Sequence, residues 1–367
     1  MEKIYKLGKI EAIALLISVT TNLIILNFPN IIIFHCGSSS WLNIIYVSIL
    51  ATVFGIIITK LFKRFQSKDL LDISEYIGGK FLKSIIGILY VAFFLVLTVM
   101  LYRYFVNSLK LIYFQNTPLV FLLLLFLIPP IICNKISFKG VSSVNLLFMP
   151  IIIISILVLL FSSIKDFVPQ RLFPIWGYGI NSTFGKETLN LFIFTNFAYL
   201  YFLNPLLKNT SHFKFVTISS TIISGVYLLL SVLSLLMTFS FITSTDELLS
   251  LYLLSRKVNL GTFFQRIDAL FIFLWIINTL SFLTINFFFI LRIIGKLTHL
   301  KNVSELSLSL GSIVLSSSLL IKNISNVKFW NKYVFSYVTI ILVYIISLII
   351  LIIANIMYSK NHKEISP

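Results

Sequence analysis

The chain has 367 residues, 58% hydrophobic and 11% charged, and its 29 Lys and Arg against 12 Asp and Glu give a net charge of +17. Mean hydropathy is +1.02. Soluble domains are about a quarter charged, so this composition cannot cover a water-facing surface and specifies a polytopic membrane protein. The positive excess fits the Lys and Arg enrichment of cytoplasmic loops, and no basic run with interleaved aromatics points to nucleic acid.

A membrane-crossing helix needs about 20 apolar residues. Ten stretches qualify: 10–33, 41–61, 84–106, 118–134, 141–164, 188–207, 214–242, 267–294, 303–321 and 334–358. The N-terminal lysines and first apolar run look like a signal peptide, but no small-x-small cleavage site follows, so the run is expected to remain as the first helix. That stretch carries Thr20-Thr21-Asn22 and then Asn27-Phe28-Pro29-Asn30. Polar side chains at such depth need a partner or a water-lined cavity. Pro29 lacks an N–H and disfavours helix at Phe28. The sequence therefore predicts that span one is interrupted to build a binding site.

Residues 60–83 form the densest basic loop. Arg103, near the outer end of span three, reads as snorkelling to the interface, with an anion contact at the mouth of the site as the alternative. Residues 165–187 hold Pro169, Pro174, Gly177, Gly179 and Gly185 with Trp176 and Tyr178, an outer loop of turns and interfacial aromatics. Span six mirrors span one: Thr195-Asn196 lies mid-span and Asn204-Pro205 downstream. Interrupted helices at corresponding positions of two halves point to a transporter-type site. The competing reading is that Thr and Asn bond their own backbone or a neighbouring helix. Residues 244–262 open on Ser244-Thr245-Asp246-Glu247 and predict a short outer helix on the membrane or over the bundle. Span eight opens with Arg266 and Asp268, which at i and i+2 do not share a face. Both are expected to be structural or partner-coupling residues, with Asn278 and Thr279 deeper in the same helix. Seven serines in Val303 to Ile321 predict a ninth helix facing protein or water.

With the N-terminus inside, eighteen Lys and Arg fall on the inner side and eleven on the outer, which places both termini in the cytoplasm. An even split puts repeat one (10–164) and repeat two (188–358) in opposite orientations, as an inverted-topology repeat requires. There is no nucleophile elbow, Gly-rich phosphate loop, HExxH or paired intramembrane carboxylate. The four His, Cys36 and Cys133 lack metal-ligand spacing, and the two cysteines fall on opposite sides. The expectation is a non-enzyme without cofactor, metal or disulfide.

The run Gln265-Arg266-Ile267-Asp268-Ala269-Leu270-Phe271-Ile272-Phe273-Leu274-Trp275-Ile276-Ile277 resembles span eight of the spore germinant receptor B subunits, the endospore permease family of the amino acid–polyamine–organocation superfamily. Ser74 to Lys80, Leu172 to Gly179 and Asn204 to Asn209 add to the resemblance. It implies an all-α integral membrane fold of about ten helices, a leucine-transporter-like 5+5 inverted repeat with spans one and six interrupted around a small-molecule pocket. It further implies a sensor of a small nutrient germinant, commonly an amino acid, acting with a receptor A subunit and a lipoprotein C subunit in the spore inner membrane. A solute transporter is the alternative. Thr21, Asn22, Thr195 and Asn196 are the candidate ligand-binding residues; Pro29, Pro205, Arg266 and Asp268 are the structural or coupling ones. Two positions depart from the family pattern. Asn22 and Ile24 stand where relatives often carry Gly-x-Gly, and Ala198 stands where they often carry Glu.

Overall fold

The computed structural model describes residues 6–26, 28–136, 138–239, 250–257, 267–300, 302–321 and 335–363. Helices fall on all ten apolar stretches: α1 (Lys9–Leu26) with α2 (Phe28–Cys36), α3 (Ser40–Phe62), α4 (Leu70–Ile112), α5 (Leu119–Ile136) and α6 (Phe138–Ser162) in the first half. The second half holds a 3-10 helix (Lys186–Phe194) continued by α7 (Asn196–Leu203), then α8 (Phe213–Thr238), α9 (Ser250–Lys257), α10 (Ile267–Thr298) and α11 (Ser307–Leu320). It ends with α12 (Ser336–Thr339), a π-helical stretch (Ile340–Ile346) and α13 (Ser347–Lys363). Among the described residues, six helical runs are by themselves long and apolar enough to cross a membrane.

Helix α4 begins 14 residues before the span expected at 84. Its start is a capping box, in which Asp69 accepts from the Asp72 amide and Asp72 from the Asp69 amide. A hydropathy window does not see such a start. A kink at Gly78-Gly79 then separates these first two turns from the apolar span. Gly79 sits at φ +64°, ψ −160°, a conformation essentially restricted to glycine. Lys83 reaches back across the kink to Glu75 at 2.8 Å.

The core is a seam of rings. Phe94 of α4 packs on Tyr199 and Phe202 of α7 and on Phe289 of α10, and Phe105 packs edge-on to Trp275 of α10. Tyr90 meets Phe202 and shares a hydrogen bond of 2.6 Å with Ser347. These contacts draw α4, span six and α10 together around α1.

Two expectations about flanking helices resolve differently. Of residues 244–262 the structure describes α9, whose Leu251 and Leu254 are buried; this part lies over the bundle, against α10 and α8. The serine-rich ninth helix meets protein along one face. It packs on α5 and α4 through one narrow stripe, Ser307, Leu310, Gly311, Val314 and Ser318, and turns Leu308, Ile313, Leu319 and Leu320 outward. Its serines are accommodated by bonding back into the helix, Ser312 to the Ser309 carbonyl and Ser318 to that of Val314.

Candidate ligand-binding site

Span six is interrupted; the interruption expected in span one falls between α1 and α2 at Asn27, which lies outside the described residues. The Thr20-Thr21-Asn22 cluster lies earlier, inside continuous helix. Thr20 gives its hydroxyl to the Leu16 carbonyl, and Asn22 finds a partner on another helix, so these side chains do not unwind the chain. In span six, a nine-residue 3-10 helix gives way at Thr195 to the α-helix that begins at Asn196. Runs of 3-10 helix beyond three or four residues are uncommon and mark strain or hinges. Pro205 lies in the 3-10 turn that ends this span. Phe28 of α2 packs edge-on to Phe192 of span six with ring centroids 5.3 Å apart.

Helix α10 is the third wall. Ser18 donates to Asn278 Oδ1 at 2.8 Å, and Asn22 Nδ2 donates to Thr279 at 3.1 Å, two polar rungs between α1 and α10. Tyr199 donates to Asn286 at 2.8 Å, tying span six to the same helix. What remains is unusual for a protein interior. Thr195 Oγ1, both side-chain amide atoms of Asn196, Asn22 Oδ1, Asn278 Nδ2 and Trp275 Nε1 are buried and make no hydrogen bond. An unmet buried polar atom costs about 1–3 kcal/mol, and these six lie on three mutually packed elements, among other unmet atoms elsewhere in the bundle. Of the predicted residues, Asn22, Thr195 and Asn196 belong to this set, and Thr21 is buried beside Asn22. Asn22 is bonded to α10 and not to Thr195 or Asn196.

Other candidates lie elsewhere. Arg103 lies nine residues from Phe94, half a turn round α4; it is buried, and its Nε and Nη1 make no hydrogen bond, so the expected snorkelling to the interface is not seen. Asp268, in the first turn of α10, accepts from the Tyr113 hydroxyl at 3.4 Å; Arg266 lies outside the described residues. Cys36 and Cys133 are both free. A groove of about 350 Å³ between α3 and α8, lined by Ile45, Ile49, Val53, Ile222 and Val226, opens to the outside of the bundle, and its apolar lining offers no chemistry.

Both ends of the seam are sealed. At one end the 165–187 loop closes over the α2–α3 junction. Ser38 donates to the Pro174 carbonyl, Ser39 and Thr183 share a hydrogen bond of 2.7 Å, and Asn43 donates to the carbonyls of Thr183 and Glu187 at 2.6 and 3.1 Å. Gly177, at φ +49°, lies so close to the Cys36 carbonyl and Ser39 that no Cβ fits. At the other end Leu7 pairs with Leu207, Lys6 donates to the Pro205 carbonyl at 2.6 Å, and Asn204 bridges to the carbonyls of Phe65 and Lys68. Beside this strap, Lys296 of α10 binds Asp69 at 2.5 Å and Asp72 at 2.8 Å. Burial raises the Asp69 carboxyl above its ordinary value, only partly offset by Lys296. Burial acts upward on Asp72 too, but its hydrogen bond to Lys296 and the lysine's charge outweigh it and hold the group low. Sequence reading missed this network, although the Asp-x-x-Asp spacing was its visible trace.

Span one and an interrupted span six packed on each other and on a third helix, within an all-helical membrane bundle, define a leucine-transporter-like membrane protein. Two solved structures share the fold. The substrate-bound outward-open state of a Na+-coupled sialic acid symporter matches with a TM-score of 0.63 at 10% identity, over 92% of this chain and 78% of that one. The crystal structure of MhsT in complex with L-phenylalanine matches with a TM-score of 0.67 at 14% identity, over 94% and 97%. By sequence, spore germination protein YndE of Bacillus subtilis (strain 168) is 23% identical over 253 residues, 68% of this chain and 69% of YndE. Residues 6–327 match the family described as spore germination protein. The chain belongs to the spore germination protein family.

Proposed function

We propose that this protein is the germinant-sensing membrane subunit of a spore germination receptor, binding a small nutrient between spans one and six. The observation that carries the reading is Asn196, wholly buried at the span-six break with neither amide atom bonded. A ligand that meets Asn196, Thr195 and Asn22 stabilises one arrangement of the two spans, and its differential affinity for that arrangement is the signal. In this reading Thr21 helps line the pocket, and Pro29 and Pro205 set the limits of the movable segments. Asp268 and Arg266 couple span eight to neighbours, and the two halves form an inverted repeat. The signal passes to a receptor A subunit and a lipoprotein C subunit in the spore inner membrane, with both termini of this chain in the cytoplasm.

Solute transport is the second reading, favoured by one neighbour in fold being described as a Na+-coupled symporter. Purified protein in liposomes separates the two. A sensor binds its germinant without saturable uptake, and robust accumulation would sink the sensing role. Asn22→Leu and Asn196→Leu are expected to shift the germination dose–response without loss of protein; an unchanged response in both removes them from the site.

A further inference from the structure

The groups that surround the span-six break differ from those of a site for a charged molecule. We infer that the pocket takes an uncharged ligand rich in hydroxyl or carboxamide groups, and not a zwitterion or an anion. This inference rests on the binding reading above and names the ligand class of that same site.

The unmet buried groups at the level of the span-six break are neutral: the amides of Asn22, Asn196 and Asn278, the Thr195 hydroxyl and the Trp275 indole N–H; Arg292 Nε, also unmet, lies further along α10. Together the neutral groups supply donors and acceptors in mixture, since each amide offers both. Among the described residues, the charges on α1, span six and α10 lie well along each element. On α1, Glu11 is eleven residues before Asn22, roughly 16 Å at helical rise, and it is engaged with the Gly8 amide. On span six, Glu187 is eight residues before Thr195, about 16 Å at the 3-10 rise, and faces His35. On α10, Asp268 is ten residues before Asn278 and Arg292 thirteen after Thr279, about 15 and 20 Å away. Arg292 is drawn instead to the Asp69 and Asp72 charges. On α4, Arg103 lies half a turn round from Phe94, and its Nε and Nη1 are buried without a hydrogen bond.

Backbone dipoles do not replace these missing charges. Broken helices capture carboxylates with the free N–H groups of a half-helix start. Here α1 is continuous past Thr21 and Asn22, so its amides at that level are spent in the helix. At the start of α7 the Ala198 amide is spent on the Thr195 carbonyl at 2.9 Å. A buried ion without a counter-charge pays a desolvation penalty that neutral hydrogen bonds do not recover, whereas a hydroxyl or carboxamide exchanges water for these side chains at little net cost.

The test is calorimetric titration of the purified full-length protein with two uncharged probes, D-glucose and uridine, and two zwitterions, L-alanine and L-leucine. The inference expects saturable binding of an uncharged probe, weakened at least tenfold by Asn196→Leu and by Asn278→Leu, with an affinity unchanged between low and high salt. The milder Asn196→Gln and Asn278→Gln keep the measurement informative if a leucine variant fails to fold. Saturable zwitterion binding that depends on Asn196, with no uncharged probe bound, overturns the ligand class and leaves the site standing. Binding of any probe that ignores both asparagines, or of none, takes the site down as well.

Discussion

Lys296→Met is the sharpest perturbation the structure offers, because it strips the cation from two carboxylates at once. Asp69 has no exposed side chain, and Lys296 bonds it at 2.5 Å and Asp72 at 2.8 and 2.9 Å. Removing one partner of a buried pair costs about 3–5 kcal/mol. The lysine side chain is 27% exposed, so water reaches the vacated end and about 3 kcal/mol is the expected loss. The loss depends on pH in a definite direction. Without Lys296, the folded-state pKa of Asp69 lies still further above its unfolded value. The folded protein then binds more protons than the unfolded chain, and the deficit shrinks as pH falls towards the ordinary carboxylate range. In the intact protein Asp72 behaves oppositely. Its depressed value contributes stability that is present above the unfolded pKa and lost as pH falls through the folded one. The assay is the thermal unfolding midpoint of the purified protein in detergent, against exposed Lys63→Met as control. Asp69→Asn in the Lys296→Met background keeps the capping acceptor and is expected to restore most of the midpoint. A Lys296→Met midpoint equal to the control, or no rescue by Asp69→Asn, refutes the reasoning.

Gly79→Ala is expected to cost about 1–3 kcal/mol from backbone strain alone, since a Cβ there meets nothing within 4 Å; Gly140→Ala, equally open but helical, is the control, and equal midpoints would rule out the strained kink. Gly177→Ala acts by collision instead, and is expected to free the 165–187 loop from Cys36 and Ser39, read as faster protease cleavage within that loop. Asn43→Leu removes the donor to Thr183 and Glu187 and the acceptor for Asn190 at 2.9 Å. Its expected effect is a loss of about 1–3 kcal/mol per stranded group, visible in the same unfolding assay, and an unchanged midpoint would show that the loop is held by other contacts.

The spans were legible because apolar runs of membrane length leave few alternatives; α3, expected at 41–61, occupies Ser40–Phe62. What hydropathy could not locate was where a polar residue breaks a helix and where it merely bonds across one. Thr20 and Asn22 look like a break, yet a threonine can use the carbonyl four residues back and an asparagine can reach the next helix, so the chain stays wound through Leu26. In the ninth helix, Ser312 and Ser318 likewise bond back into the helix, and the outward face mixes serines with leucines. The candidate site was half legible. Thr195-Asn196 stood out as polar residues mid-span, but Ser18, Trp275 and Asn286 acquire meaning only from the packing of α1 and span six on α10. The Lys296 network joins residues more than 220 positions apart, and no local pattern announces such a pairing.

The pairing of Leu7 with Leu207 has a consequence for how the chain is made. The segment that straps the end of span six is made well before its docking surface, which is encoded 199 positions later, as the separation of Lys6 from Pro205 records. At about 5–20 residues per second, synthesis leaves it waiting roughly 10–40 s. Throughout that interval five spans enter the membrane before Leu7 can meet Leu207, so the strap between the two halves cannot guide the insertion of the first half and is set only once span six has been made.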